Sequence, residues 1–197
     1  EVKQFNDYVE SINQYTAGSF DAVTVTNMDA LSIPAAGGVD TTAVIVGDFS
    51  NGNDAVILKG KDKLTDIKGQ TVNLVEFSVS HYLLARALES VKLAEKHVKV
   101  VNTSDADMAG AYKKPDVTAV VTWKPIVSTI LTEPDAKKVF DSSQIPGEII
   151  DLMVANTEVV KENPDFGKAL AGIWYDTMKA LGDGTAAKEA MAKASGT

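Results

Sequence analysis

The sequence predicts an α/β fold in which mainly parallel strands are flanked by helices. Short β-branched runs alternate along the chain with segments whose apolar residues recur at helical spacing. Several of these runs end in a polar turn that opens directly into a helix, which is typical of strands in parallel sheets. With 197 residues, 45% of them hydrophobic, the chain is long enough for one large lobe or two small ones.

Composition narrows the classes of function. The chain carries 19 Lys and Arg against 27 Asp and Glu, a formal net charge of -8, which argues against a nucleic-acid surface because phosphate binding needs clustered cations. There is no cysteine, so disulfides, thiolate metal sites and cysteine nucleophiles are excluded. The sequence contains no run of about 18 apolar residues and therefore predicts no membrane-spanning helix.

The N-terminal quarter alternates short strands and short helices. Residues 1–5 have the pattern of a strand end, and from Asn6 a helix follows that Gly18 ends. A strand at 22–26 leads through a polar turn into a short helix at 30–36. A β-branched strand at 42–46 then enters a stretch rich in turn formers, 47–54, which predicts a bend or crossover.

The stretch 69–90 contains the strongest junction between a strand and a helix. An apolar run at 71–77 meets Ser78 and Ser80, hydroxyl residues favoured at helix N-caps, and apolar residues then recur at helical spacing. The first turn of such a helix presents unpaired N–H groups, so ligands bind there. Glu76, just before the turn, would repel an anion; it is either a ligand group or a solvated residue at the strand end.

The rest of the chain continues the alternation. A strand at 55–58 and a short helix at 64–68 precede the junction. After it, strands are expected at 98–101, 117–121, 139–140 and 148–155, with helices at 105–112 and 126–131. The last part is helical, and Asn163-Pro164 separates one helix from a long helix at 166–181.

Several phrases, in their order and spacing, resemble the type II periplasmic solute-binding proteins of ABC importers. Within them the chain is most similar to the group that binds nitrate, sulfonates, taurine and thiamine precursors. The phrases are YVES at 8–11, AGSFDA at 17–22, KGQTV at 68–72, SVSH at 78–81, DVTAVVTWKP at 116–125 and NPD at 163–165. The stretches 26–60 and 74–89 resemble more narrowly the members encoded beside urea-carboxylase-type enzymes, which are thought to import urea-like or guanidine-like solutes.

The resemblance implies the type II periplasmic-binding-protein fold, with two lobes of mainly parallel sheets flanked by helices and a ligand in the cleft between them. Lobe I would comprise 1–48 and 152–197, lobe II 55–148, and the crossings 49–54 and 149–151. Family members begin before Glu1 and continue beyond Thr197, so an incomplete lobe I is expected.

The same resemblance implies a solute-binding component of an ABC importer rather than an enzyme. Its partners would be a small-molecule ligand and a permease in the membrane, and no cofactor is expected. The protein would be periplasmic or extracellular, free or lipid-anchored, and monomeric unless a second chain completes lobe I.

The candidate ligand groups are polar or aromatic residues at strand ends and crossings. Asp29 could bind a ligand amine or cap a helix, and Asn27 beside it could donate a hydrogen bond or form a turn. Asn53 and Asp54 could bind the ligand or form a turn. Trp123 could stack on a planar cation, a contact worth about 0.5 to 2 kcal/mol, or pack in the core.

Two further candidates are Asp151 and His81. Asp151 stands in an otherwise apolar strand and is costly to bury unpaired, so it either faces the cleft or pairs with a lysine. His81 lies in the first turn of a helix, which disfavours its charged form and favours a neutral hydrogen-bonding role. With His97 it lacks a third ligand at metal spacing, so no zinc site is predicted.

The expected ligand follows from the charges at these positions. Glu76 and the aspartates, together with an indole, favour a small nitrogenous cation such as guanidinium, whereas the single arginine of the chain, Arg86, lies two turns into a helix. One alternative is an anion such as nitrate or a sulfonate, bound by the Ser78–Ser80 turn. A second is the effector-binding domain of a transcription regulator, which shares the fold. An enzyme that uses paired carboxylates is disfavoured because the sequence contains no nucleophile elbow.

Overall fold

A computed structural model describes residues 1–182 and 184–195 of the chain. The strands are Ala22–Thr26 (β1), Thr41–Phe49 (β2), Asp54–Lys59 (β3), Thr71–Leu74 (β4), Lys99–Asn102 (β5), Ala119–Trp123 (β6), Ala136–Asp141 (β7) and Ile150–Asn156 (β8). The α-helices are Tyr8–Thr16 (α1), Asn27–Ala30 (α2), Val79–Ser90 (α3), Asp105–Tyr112 (α4), Ile126–Ile130 (α5), Thr157–Glu162 (α6), Pro164–Leu181 (α7) and Thr185–Ser195 (α8).

The strands form two separate sheets. The first has the order β1-β8-β2, and the second has the order β5-β4-β6-β3-β7. The chain passes from the first sheet to the second between β2 and β3 and returns between β7 and β8. These two connections are called the first and second crossings. The α/β class predicted from the sequence is confirmed.

The prediction of mainly parallel sheets is wrong at the level of strand pairing. β4 is parallel to β5 and β6, but the pairs β1–β8, β2–β8, β3–β6 and β3–β7 are antiparallel. The cause is the crossings. β3 and β8 each begin directly after a crossing, at the end of the sheet where their neighbouring strands finish, and therefore run antiparallel to them. For example, Asp54, the first residue of β3, pairs with Trp123, the last residue of β6.

The second sheet has a core on each face, because the central residues of β3, 55–58, are apolar and buried on both sides. Val56 and Leu58 face α3, in the cluster that contains Leu83. Ala55 and Ile57 face α4 and α5, in the cluster that contains Met108 and Ile130. The first sheet has a smaller core beneath α1, formed by Ile12, Tyr15, Val25, Ala30 and Val154. Each sheet therefore buries its own apolar surface.

Several boundaries differ from the expected ones. Residues 1–5 have no regular secondary structure rather than a strand end. β2 continues to Phe49, so the start of the stretch predicted as a bend belongs to the strand, with a register shift between Val46 and Asp48. The chain bends at 50–53, as predicted. Asn163 separates α6 from α7 as predicted, with Pro164 in the first turn of α7. In the described part of the chain, no helix combines the length and hydropathy needed to cross a bilayer.

Candidate functional site

Four aspartates lie together where the crossings meet the first sheet, and we call Asp29, Asp48, Asp54 and Asp151 the acidic group. Asp151 pairs in register with Asp48 of β2, so the two side chains project from the same face of the sheet. Burial raises the pKa of Asp151 to about 7, and the neighbouring Asp48 carboxylate adds to the rise, followed by Asp54 and Asp29. A neighbouring negative charge disfavours the ionised form of Asp151.

Asp29 is the most deeply buried member of the acidic group. Its side chain is fully buried, and the Tyr8 hydroxyl donates a 2.7 Å hydrogen bond to Oδ2. The other oxygen, Oδ1, has no hydrogen-bond partner among the described residues. Burial raises the pKa of Asp29 to about 6, and the hydrogen bond from Tyr8, together with the nearby Thr26 hydroxyl and Val79 N–H, partly offsets this rise without placing a donor at hydrogen-bond distance from Oδ1. A buried carboxylate oxygen without a donor is costly.

Asp54 lies at the first crossing and is held by hydroxyl groups. It is 4% exposed and accepts a short hydrogen bond from Ser50, whose hydroxyl lies 2.7 Å from that of Ser142 near the second crossing. Burial raises the pKa of Asp54, and hydrogen bonding to Ser50 and Asn53 opposes the rise. Both crossings are thereby tied to the same carboxylate.

Tyr8 and Trp123 bring the two sheets into contact beside the acidic group. Tyr8 is in the first turn of α1, Trp123 is at the end of β6, and their rings meet edge to face at 5.6 Å between centroids. Two further contacts join the sheets. The Ser32 hydroxyl donates to the Phe77 carbonyl at 3.1 Å, and the Tyr8 N–H lowers the pKa of Asp105, which burial raises.

A small cavity opens at the end of the first sheet, next to Tyr8. Its volume is about 160 Å³, and it is bordered by the acidic-group members Asp48 and Asp151 and by the indole of Trp174 from α7. Gly47 allows this close approach, because a Cβ there would lie 3.3 Å from both the Asp151 carbonyl and the Trp174 ring. The cavity thus combines carboxylates with aromatic rings.

The predicted turn before α3 forms, but its hydroxyl groups serve mainly local purposes. Ser78 caps the helix by accepting from Ser80 N at 3.1 Å and donates to Val75 O at 2.7 Å. Ser80 Oγ is buried and has no partner among the described residues. Phe77, with φ 64°, adopts a left-handed conformation that is rare for a bulky residue, and its ring is exposed.

Glu76 and His81 stand apart from the acidic group. Glu76 is half-buried, its backbone N–H donates to Asn102 Oδ1 at 3.0 Å, and the described contacts join its carboxylate to none of the four aspartates. His81 Nδ1 accepts from Phe77 N at 3.2 Å, and Nε2 lies 3.3 Å from a Glu95 carboxylate oxygen. His81 therefore stabilises the turn before α3 and contacts Glu95, not the acidic group.

The two candidate asparagines make hydrogen bonds within the protein, mainly to backbone groups at the crossings. The Asn27 amide clamps the second crossing, donating to Glu148 O at 3.0 Å and accepting from Ile150 N at 3.2 Å. Asn53 is half-buried; it supports Asp54 through its side chain and accepts from Lys124 N at 3.1 Å through its carbonyl. Both residues position the crossings.

Sequence reasoning missed Tyr8, Asp48 and Trp174. The helical spacing of Tyr8 with Ile12 and Tyr15 favours a packing role for Tyr8, and Asp48 lies in the stretch 47–54 that predicts a bend. The available signal was the raised share of aspartates around the predicted crossing, but it did not identify their partners. The lysine partner considered for Asp151 is not found: in the described residues, no ion pair includes a member of the acidic group.

The one arginine of the chain does not serve as an anion-binding group at this place. Arg86 donates to Glu148 at 2.7 and 2.9 Å and also contacts Glu89, so the single arginine is engaged elsewhere. Among the described residues there is also no group of three or more His, Asp and Glu arranged to hold a metal ion. The site therefore offers acceptors and aromatic rings.

Comparison with known proteins assigns the chain to a family. The profile of the family described as NMT1/THI5 like matches residues 1–172. The chain belongs to the NMT1/THI5-like family. The taurine-binding periplasmic protein of Escherichia coli K12 is 24% identical over 131 residues, which cover 65% of this chain and 40% of that protein. This member of the NMT1/THI5-like family thus spans less than half the length of that curated relative.

Solved structures show which known fold the chain shares. The alkanesulfonate-binding protein SsuA of Xanthomonas axonopodis pv. citri, bound to MOPS, aligns with a TM-score of 0.84 at 18% identity, covering 98% of this chain and 68% of that one. The nitrate-binding protein NrtA of Synechocystis PCC 6803 aligns with a TM-score of 0.68 at 11% identity, covering 86% and 50%. At these identities the NMT1/THI5-like chain shares their fold.

Proposed function

We propose that this chain acts outside the cytoplasm as the solute-binding component of an ABC importer, presenting a small ligand to a membrane permease. The relatives reported above are named as binding proteins, which supports a binding role rather than catalysis. The two sheets, with the helices packed on them, would be the two lobes, 1–48 with 152–197 and 55–148. The crossings at 49–54 and 149–151 would be the hinge between them.

The proposed ligand is a small nitrogenous solute, cationic and related to guanidine or urea. The observation that carries this proposal is the fully buried Asp29 carboxylate, whose Oδ1 lacks a hydrogen-bond donor. Three more carboxylates belong to the same acidic group, and no described ion pair neutralises them. A ligand with several N–H donors and a positive charge supplies both missing components.

The aromatic residues fit the same ligand. A planar cation can stack on the Tyr8 or Trp123 ring on the cleft side, or on Trp174 in the cavity of about 160 Å³, gaining about 0.5 to 2 kcal/mol. Tyr8 and Trp123 already meet edge to face, so the ligand would lie against their free faces and not between the two rings. Binding would then favour the closed form because only that form holds the ligand from both lobes.

A second candidate is a small anion, favoured by the names of the taurine-, alkanesulfonate- and nitrate-binding relatives. Its site would be the first turn of α3, where the Ser80 hydroxyl has no described partner. Against this candidate, the Val79 N–H of that turn already faces the Asp29 carboxylate. An anion would have to compete with this internal carboxylate unless Asp29 is protonated.

A calorimetric titration with guanidinium, urea, nitrate and taurine at matched ionic strength tests the proposal. We expect guanidinium to bind, and Asp29→Asn to weaken binding about tenfold or more, as expected when a charged hydrogen bond is lost. The matched control is Asp62→Asn, at an exposed position.

Three outcomes would count against the cationic ligand. They are binding of nitrate or taurine alone, equal binding of guanidinium by the two aspartate variants, and no heat with any of the four compounds. The variant Glu76→Gln measures how much Glu76, a ligand group proposed from the sequence, contributes to guanidinium affinity apart from the acidic group. We expect only a small effect there, because the described contacts leave the Glu76 carboxylate outside the group.

A further inference from the structure

A second concave site lies in the other lobe, between α4 and the strands β4 and β5. This groove has a volume of about 680 Å³ and shares no lining residue with the cavity beside Trp174 or with the acidic group. It is lined by Asn73, Val101, Asn102, Thr103, Ser104, Asp107, Gly110, Ala111, Lys114, Asp116 and Val117. It lies over the part of the sheet that α4 leaves uncovered.

The floor of the groove contains a buried polar side chain with an unused acceptor. Asn73 is 7% exposed and is opposite Val101 in register, so both side chains point from the sheet into the groove. Asn73 Nδ2 donates to Thr103 Oγ1 at 2.9 Å, but Oδ1 has no partner among the described residues. A buried acceptor of this kind is satisfied by a donor from a water molecule or a ligand.

The hydroxyl groups of the groove have no hydrogen atoms left to offer. Thr103 donates to Val101 O at 3.3 Å, and Ser104 donates to Asp107 Oδ2 at 2.8 Å. What remains are three acceptors, namely the carboxylates of Asp107 and Asp116 and the Asn73 oxygen, and two donors, the Asn102 amide nitrogen and the ammonium of Lys114. The groove therefore suits a ligand that is rich in N–H donors and also carries a carboxylate.

The spacing of the charges limits the size of that ligand. Asp107 lies in the first turn of α4 and Lys114 just beyond its end, roughly 10 Å apart along the helix axis. Between them is Gly110, where a Cβ would meet nothing within 4 Å, so the middle of the groove is open. Three extended residues of a peptide span about 10 Å.

We infer that this groove binds a short zwitterionic peptide of two or three residues. Its ammonium group lies at Asp107, its carboxylate at Lys114, and an amide N–H of its backbone donates to Asn73 Oδ1. The inference does not rest on the proposed cleft ligand, because the two sites have no residue in common.

Triglycine is the probe, compared by calorimetry with its N-acetylated and C-amidated forms. The key variant is Gly110→Leu, which fills the middle of the groove and should leave the helix at least as stable because glycine is a poor helix former. The matched control is Gly172→Leu in α7, another helical glycine with nothing within 4 Å of its Cβ position.

We expect triglycine to bind the wild-type chain and the Gly172→Leu variant, and Gly110→Leu or Lys114→Gln to weaken binding about tenfold or more. Each end-capped peptide should bind correspondingly less tightly. No binding of triglycine overturns the inference, as does equal binding by the two leucine variants or by all three peptides. Guanidinium should bind Gly110→Leu as tightly as it binds the wild type, because the proposed guanidinium site is in the cleft. This titration therefore separates the groove from the cleft.

Discussion

Asp48 and Asp151 face each other across the β2–β8 ladder, next to a cavity. Among the described residues, neither aspartate forms an ion pair with a cationic side chain. Two carboxylates in this position cannot both ionise without cost, so they hold a proton at a pH at which exposed aspartates have lost theirs. The pair is thus a local source of instability that a bound cation would remove.

The first prediction concerns stability and pH. Because the pKa of Asp151 is raised to about 7 in the folded chain, the folded state binds this proton more tightly than the unfolded state. The pair's contribution is therefore fully present near pH 4 and is lost as the pH rises towards 7. Asp48→Asn should flatten this decline, as measured by urea unfolding between pH 4 and 8.

The size of that effect is bounded. One fully shifted group gives a slope of about 1.4 kcal/mol per pH unit, and Asp151 should give less because solvent reaches it in part. Asp62→Asn, which alters an exposed carboxylate, should leave the slope as it is. An identical pH profile for wild type and Asp48→Asn would contradict the prediction.

The second prediction is that ligand affinity has the opposite dependence on pH. A guanidinium ion keeps its charge throughout this range, whereas Asp29 and Asp151, with pKa values of about 6 and 7, must lose protons to bind it. Affinity should therefore rise by up to about tenfold per pH unit for each group below its own pKa, which is about 6 for Asp29 and about 7 for Asp151. Titrations at pH 5.5 and 8 check this; tighter binding at pH 5.5 would instead fit an anionic ligand.

Local sequence signals predicted the elements and their caps. Ser78 caps α3 as predicted, because capping depends on residues only a few positions apart. At α2 the cap is Thr26, and Asp29, the cap that the sequence suggested, lies inside the helix. The break at Asn163-Pro164 is likewise local. Signals of this kind need no knowledge of which strands are neighbours.

The acidic group was only partly predictable, because its members meet through the register of distant strands. Asp48 and Asp151 are more than a hundred residues apart in the chain, and their pairing follows from the antiparallel entry of β8, which the expectation of parallel strands did not include. Tyr8 was hidden for another reason. Its helical spacing indicated a core residue, and only the tertiary structure brings its hydroxyl to Asp29.

The third prediction concerns the second crossing, which Arg86 fixes to α3. Glu148 accepts from Arg86 Nε and Nη2 and from the Tyr82 hydroxyl, and hydrogen bonding from Arg86 lowers the pKa of Glu148 to about 2. A depressed pKa contributes stability above the unfolded value of 4.5 that is lost as the pH falls towards 2.

Glu148→Gln should accordingly lower the thermal midpoint at pH 7 and flatten its decline between pH 4.5 and 2. Glu162→Gln at an exposed position is the matched control, and it should change neither quantity. Arg86→Lys keeps the charge but loses the two-point contact, so it should fall between wild type and Glu148→Gln. A midpoint for Glu148→Gln equal to that of the control would show that the contact contributes nothing.

The fourth prediction concerns the hydroxyl of Tyr8, which donates to Asp29 Oδ2 at 2.7 Å and accepts from Thr26 N at 3.0 Å. Tyr8→Phe leaves both groups without this partner and should destabilise the fold by about 1 to 3 kcal/mol. It should also raise the pKa of Asp29 further, since the Tyr8 hydrogen bond stabilises the charged form. Guanidinium affinity should then reach its plateau at a higher pH than in the wild type.

Tyr175→Phe, which alters an exposed hydroxyl, should leave stability and the pH profile of binding unchanged. A Tyr8→Phe variant with lowered stability but an unshifted binding profile would mean that Asp29 does not contact the ligand.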